Sequence, residues 1–181
     1  IRGLDEEHVK LSDGMINGDY HRYRDGVLRE SGIYVKGKRN GTFTEYYQDG
    51  VTPRKETPIL QGKIDGTVKT YFRNGKIEIE KEYKQSVENG RERRFANKTG
   101  KQIFESHYID GKKDGEEWEI FEDGRAIRSK TTCHYRNGKL DGSYRVESTW
   151  EGKPYITIEG QYTDGEKSGQ WIQHNYQDNT Q

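Results

Sequence analysis

The chain has 181 residues, and its 31 Lys and Arg balance its 31 Asp and Glu. That balance leaves no net field to draw nucleic acid or an anionic membrane surface. Only 28% of the residues are hydrophobic, less than an ordinary two-layer globule of this length needs; a thin repeat array, in which each unit buries one strip against its neighbours, needs less.

From the N-terminus, the dominant pattern is a glycine preceded by a small turn-forming residue. The pairs are Asn17-Gly18, Asn40-Gly41, Asp65-Gly66, Asn89-Gly90, Asp114-Gly115, Asp141-Gly142 and Ser168-Gly169. The steps run from 23 residues (Gly18 to Gly41) to 27 residues (Gly142 to Gly169). Each anchor has a companion four residues earlier: Gly14, Gly37, Gly62, Ser86, Gly111, Gly138 and Gly165. Seven residues before the anchors stand Leu11, Tyr34, Ile59, Tyr83, Tyr108, Tyr135 and Tyr162. Self-similarity at a fixed period marks a repeat protein.

Asn-Gly and Asp-Gly accept positive φ cheaply and signal hairpins. A second turn follows each anchor at Gly26, Gly50, Gly75, Gly100, Gly124 and Gly152, with Asp at 178. Two turns per repeat leave room for two short strands. The fold class predicted is all-β: an elongated single antiparallel sheet of about seven tandem β-hairpins. Its expected span is 11–176, with 1–10 as a lead-in and 177–181 as a tail.

Alternation assigns faces in the second strand of each repeat. Leu28, Gly32 and Tyr34 share a side with Glu30 interrupting; Ile77, Ile79 and Tyr83 share one, as do Ile156, Ile158, Gly160 and Tyr162. The side bearing the repeated tyrosine is the expected buried face, with those rings as a ladder between repeats. Cys133 falls on it and reads as a small buried apolar residue. Glu105 and His107, or Thr132 and His134, mark the wet side. In the first strand, aromatics fall on both parities, as in Tyr46-Tyr47 and Tyr71-Phe72, and the faces stay unassigned. The segment 51–58 carries Pro53 and Pro58, which remove ladder donors and suit an edge or a bulged loop.

No catalytic pattern emerges. Of the five histidines, only His107 and His134 share a repeat position. Equivalent strands of adjacent hairpins lie roughly 9–10 Å apart, too far for a shared metal without a third group. The glycines lead into strands and not to helix N-termini, so they make no phosphate cradle. The lone Cys133 allows no internal disulfide. The expectation is a protein that is not an enzyme and uses no cofactor or metal.

The unit Gly-x-aromatic-x-x-Tyr-Tyr-x-Asn/Asp-Gly, then Tyr-x-x-Gly-x-x-x-Gly, resembles the MORN repeat, and most closely its bacterial YwqK-type variant, labelled antitoxin. The copies that carry the resemblance are Gly41-Thr42-Phe43-Thr44-Glu45-Tyr46-Tyr47-Gln48-Asp49-Gly50 and Gly66-Thr67-Val68-Lys69-Thr70-Tyr71-Phe72-Arg73-Asn74-Gly75, with Tyr108-Ile109-Asp110-Gly111-Lys112-Lys113-Asp114-Gly115 for the second half. It covers 11 to about 176, with Ser86 in place of the expected glycine. The resemblance implies a run of hairpins and no catalytic residues. It further implies a protein partner, in its most concrete form a cognate toxin, or a structural or membrane-associated scaffold. With zero net charge, nucleic acid is not an expected partner and membrane is disfavoured. The expected partner anchors are Tyr46, Tyr71 and Trp118, with Trp150 and Trp171 also breaking the repeat. The expected setting is the bacterial cytoplasm or cell envelope, and the start at Ile1 is compatible with a removed leader.

No segment shows sustained apolar spacing at 3.6 residues, so the far-ultraviolet circular dichroism spectrum is expected to be that of a β protein. A helix-dominated spectrum would end this reading.

Overall fold

The computed structural model describes residues 4–122, 127–150 and 153–174. Gly124, Gly152 and Asp178, the Trp150 side chain and the expected 177–181 tail lie outside the described residues. The strands, in chain order, are β1 (Asp5–Ser12), β2 (Met15–Arg24), β3 (Val27–Val35), β4 (Lys38–Tyr46), β5 (Pro53–Leu60), β6 (Lys63–Ile64), β7 (Gly66–Tyr71) and β8 (Ile77–Lys84). They continue as β9 (Val87–Phe95), β10 (Gln102–Ile109), β11 (Lys112–Lys113), β12 (Gly115–Glu122), β13 (Ile127–Arg136), β14 (Lys139–Trp150), β15 (Lys153–Thr163) and β16 (Glu166–Gln173). All belong to one 16-stranded sheet in sequential order, with β6 and β11 off the main path. Those two are the first residues of β7 and β12, cut off at Asp65 and Asp114. The paired strands are antiparallel, so the chain is a succession of hairpins. It divides into two compact units, Ile1–Gly90 with Arg94–Lys101, and Arg91–Arg93 with Gln102–Gln181.

Residues 5–10, expected as a lead-in, form most of β1, which pairs with β2 from Asp5↔Arg24 to Ser12↔Met15. Pro53 and Pro58 do not mark an edge, because β5 lies between β4 and β7. A bulge accommodates the start of this strand: Glu45 opposes Lys55 while Tyr46 opposes Pro53, leaving Arg54 as the extra residue.

The tight hairpin turns fall on the companion residues, not on the anchors. At Lys36-Gly37 both residues have positive φ, 50° and 75°, and Asp110-Gly111 repeats this at 48° and 79°. This is the two-residue turn whose twist matches paired strands. Gln85-Ser86 makes the same turn without glycine, at 52° and 70°. The anchor glycines lie a few residues later and kink the following strand, with φ of 109° at Gly115 and 119° at Gly142. Before four of the anchors the preceding residue, Asn17, Asn40, Asp65 or Asp114, serves as a staple between repeats. Asn17 Oδ1 accepts the backbone N–H of Lys36 at 3.1 Å, Asn40 Oδ1 that of Gln61 at 3.3 Å, and Asp114 Oδ2 that of Asn137 at 3.0 Å. A backbone bond also ties five of the turns to the repeat before, as in Gly37 N–H to Ile16 O at 2.8 Å and Gly62 N–H to Arg39 O at 2.9 Å.

The buried side chains lie on the tyrosine-bearing side, but the repeated tyrosines are only half-buried. The positions two residues after the first four anchors are well covered: Tyr20, Phe43, Val68 and Glu92 are 4%, 2%, 8% and 4% exposed, and Phe104, Ser106 and Cys133 are buried on the same side. This settles the faces of the first strand. Phe43 lies over Gly32, where a Cβ would stand 2.6 Å from its ring carbons. Tyr34 meets Phe43 edge-on at 5.6 Å and Tyr20 at 5.4 Å between centroids. Arg39 caps this cluster, its guanidinium 4.4 Å from the Phe43 centroid and 3.0 Å from Glu30. Glu30 is therefore not an interruption: it is buried between Arg39 and Arg22. The second unit repeats the device with Trp171 over Gly160, Tyr162 edge-on at 5.1 Å, and Lys167 at 4.2 Å from the indole. Cys133 is buried, as expected, and burial pushes its thiol up to about 11.

Phe43→Ala is expected to cost about 3–5 kcal/mol in urea denaturation, because the ring fills space that no neighbour can refill. Gly160→Ala should also lower the melting temperature, since its Cβ would enter the Trp171 ring. Asn40→Ala, which removes one staple to a partly exposed N–H, should cost about 1 kcal/mol. A Phe43→Ala protein as stable as the wild type would refute this account of the core.

Candidate binding groove

Past the rings, β2 and β4 carry the covered side on to Arg22, two residues beyond Tyr20, and Glu45, two beyond Phe43. Here the first unit opens into a groove of about 560 Å³. Five arginines line it: Arg22, Arg24, Arg29, Arg54 and Arg73. The register explains their convergence. Arg54 is the extra residue of the β4–β5 bulge, and Arg29 holds the same place between β2 and β3, where Arg22 opposes Glu30 and Tyr23 opposes Leu28. A bulge re-aims a side chain and so brings bulged residues toward their neighbours. Arg73 comes from the turn after β7.

The groove is held by its own hydrogen bonds. Arg29 Nη1 donates to the Tyr47 carbonyl at 3.2 Å, and the Arg73 guanidinium lies 5.3 Å from the Tyr47 ring centroid. Tyr47 donates to the Tyr71 carbonyl at 2.5 Å, which fixes that ring. In the adjoining turn Asp49 accepts from the Thr52 hydroxyl at 2.6 Å and from the backbone N–H groups of Val51 and Thr52. These bonds, the hydroxyl first, hold its carboxyl down to about 2. Two carboxylates, Asp25 and Glu45, also line the groove, and Glu45 pairs with Arg54. Five cationic and two anionic side chains leave the lining basic.

Of the three residues expected as partner anchors, Tyr46 borders this groove, with its hydroxyl turned to Ser31 Oγ at 3.0 Å. Tyr71 is half-buried and donates to Glu56 Oε2 at 2.5 Å. Trp118 belongs to the second unit, where Lys130 Nζ lies 5.4 Å from its ring centroid. The five arginines are the residues that reading the sequence missed. Arg29 and Arg54 each stand five residues before the repeated apolar position, Tyr34 and Ile59, so the repeat register carried a signal for these two.

The second unit has its own concavity, of about 470 Å³, lined among others by Glu116, His134 and Ser143. Ser143 Oγ lies 3.1 Å from His134 Nδ1, and Glu116 Oε2 lies 3.8 Å from Nε2. The order matches a hydrolytic triad, but the carboxylate is beyond hydrogen-bond distance and Glu116 and His134 are about half exposed. It reads as a solvated polar cluster.

Comparison of the chain with protein-family models and with curated proteins finds no match.

Burial first, and then the hydrogen bond to Glu56, push the Tyr71 phenol up to about 12. The folded value lies above the unfolded one, near 10. The stability this tyrosine contributes is thus fully present below about pH 10 and is lost as pH rises through about 12. Urea melts across that window should show the fall, and Tyr71→Phe should make it shallower, since Tyr20, Tyr135 and Tyr144 are raised too. An unchanged slope in the variant would assign the alkaline loss elsewhere.

Proposed function

We propose that this chain is a non-catalytic bacterial protein-binding module, most concretely an antitoxin or immunity protein that covers a cognate toxin. The observation that carries the reading is the groove of the first unit. Arginine and tyrosine are the side chains that dominate binding energy at protein interfaces, and here they converge on strands and bulges already fixed by internal hydrogen bonds. A pre-organised surface binds without the entropy cost of ordering loops. The resemblance to MORN repeats of the YwqK type supplies the antitoxin part of the proposal.

A second reading, a scaffold at a membrane surface, draws on the tight-turn ends. Val35 and Leu60 are 44% and 51% exposed there, and each opposes a lysine, Lys38 or Lys63. Exposed aliphatics beside lysines suit an anionic lipid interface.

The test is capture of partners by the tagged chain when it is co-expressed with the products of adjacent genes, followed by calorimetry. A protein partner should bind, and Arg73→Ala with Tyr47→Ala should weaken binding at least about tenfold, as hot-spot losses do. Equal affinity in the double variant would remove the groove from the interface. Flotation with anionic liposomes, with no protein captured, would favour the scaffold.

A further inference from the structure

Resting on the reading of the chain as a protein-binding module, we infer that the groove takes an acidic, extended segment of the partner, whose carboxylates replace Glu45 and Asp5 on the groove arginines. The arginines fall into two sets. Arg22 is fixed by Glu30, whose side chain is only 10% exposed, so this pair belongs to the core. Arg54 and Arg24 are held only at the surface. Arg54 pairs with Glu45, the two side chains 56% and 31% exposed. Arg24 reaches Asp5 only at 4.0 Å, with both side chains 59% exposed. Solvated pairs of this kind contribute little and exchange readily. Glu45 and Asp5 thus act as placeholders: they neutralise guanidinium groups in the free protein and yield them to a better-placed carboxylate. Arg29 gives one N–H to the Tyr47 carbonyl and the Arg73 guanidinium lies over the Tyr47 ring, and each guanidinium has five N–H donors, more than these contacts use.

Charge chemistry selects a carboxylate segment over a nucleic acid. The guanidinium fork matches a carboxylate in two parallel hydrogen bonds. Affinity for a nucleic-acid backbone comes mainly from neutralising many phosphates, and a chain with 31 basic and 31 acidic residues brings no net positive charge to do so. The groove volume of about 560 Å³ suits a few side chains, not a single small ion.

The probe is a fluorescein-labelled hexaglutamate peptide, titrated with the full chain by anisotropy. It should bind at low salt and weaken as salt rises. Arg54→Ala and Arg24→Ala should each weaken binding about fivefold, the scale of one exposed charge pair. Glu45→Gln should tighten it about threefold by releasing Arg54, a gain that a damaged fold cannot produce. Circular dichroism checks that each variant folds. No binding at low salt, or equal affinities in Arg54→Ala and Glu45→Gln, would overturn the inference. Tighter binding of hexathymidylate than of hexaglutamate would overturn it too and assign the groove to phosphates. If hexaglutamate fails while a protein partner is captured through Arg73 and Tyr47, the acidic segment is wrong and the binding module stands. If hexaglutamate binds as described and no protein is captured, the inferred groove chemistry stands and the module reading fails.

Discussion

In each of the two units a cluster depends on a ring laid over a position that has no side chain. Among the described residues every strand belongs to the one sheet and no second layer lies against it, so its covered face is roofed by its own side chains. Phe43 reaches sideways over Gly32 on the neighbouring strand, and Trp171 does the same over Gly160. Tyr34 and Tyr162 close each cluster edge-on, and Arg39 and Lys167 lie across the top. A long cationic side chain suits the outer position because its stem covers apolar surface while its charge meets both water and a ring face. A low apolar content is enough when each ring serves two strands.

Between these clusters the same position changes character. Two residues after Gly90 and Gly115 stand Glu92 and Glu117 in place of rings. Glu92 is buried and accepts from the Tyr108 hydroxyl at 3.2 Å, and Glu117 pairs with Lys113. Burying a carboxylate is costly unless it is paired or hydrogen-bonded; Glu92 has the phenol and Glu117 the ammonium. In the repeat before them the charges exchange places, with Lys81 Nζ 2.8 Å from Glu88. Ionic pairs thus join ring contacts in the middle repeats, where Lys113 Nζ also lies 4.8 Å from the Tyr135 ring centroid.

The groove follows from the same geometry. Where β2 and β4 run out past Tyr20 and Phe43, the covering rings stop and bulges begin. Arg22 stays tied to the core through Glu30, while Arg54, released from the ladder by its bulge, meets solvent and Glu45. The first unit's face is thus sealed by aromatics at one end and lined by guanidinium groups at the other.

The sequence by itself determined the repeat, its all-β character and the covered side, because period-2 alternation and recurrent glycines are local properties. Tyr34, Tyr108 and Cys133 could be placed on one side from parity alone. It did not separate the two kinds of glycine: Asn40-Gly41 has the residues of a hairpin turn, yet Lys36-Gly37 makes the turn and Asn40 staples the next one. That choice is made by pairing with adjacent strands, since both dipeptides tolerate positive φ. Nor could parity place Tyr46 or gather Arg22, Arg24, Arg29, Arg54 and Arg73, which span three repeats. A single bulge shifts every side chain beyond it to the other face, so the groove exists only once the register of β2 to β5 and β7 is set by their mutual hydrogen bonds. Tertiary structure decided where the charges meet because convergence of residues far apart in the chain is a property of register, which no local pattern contains.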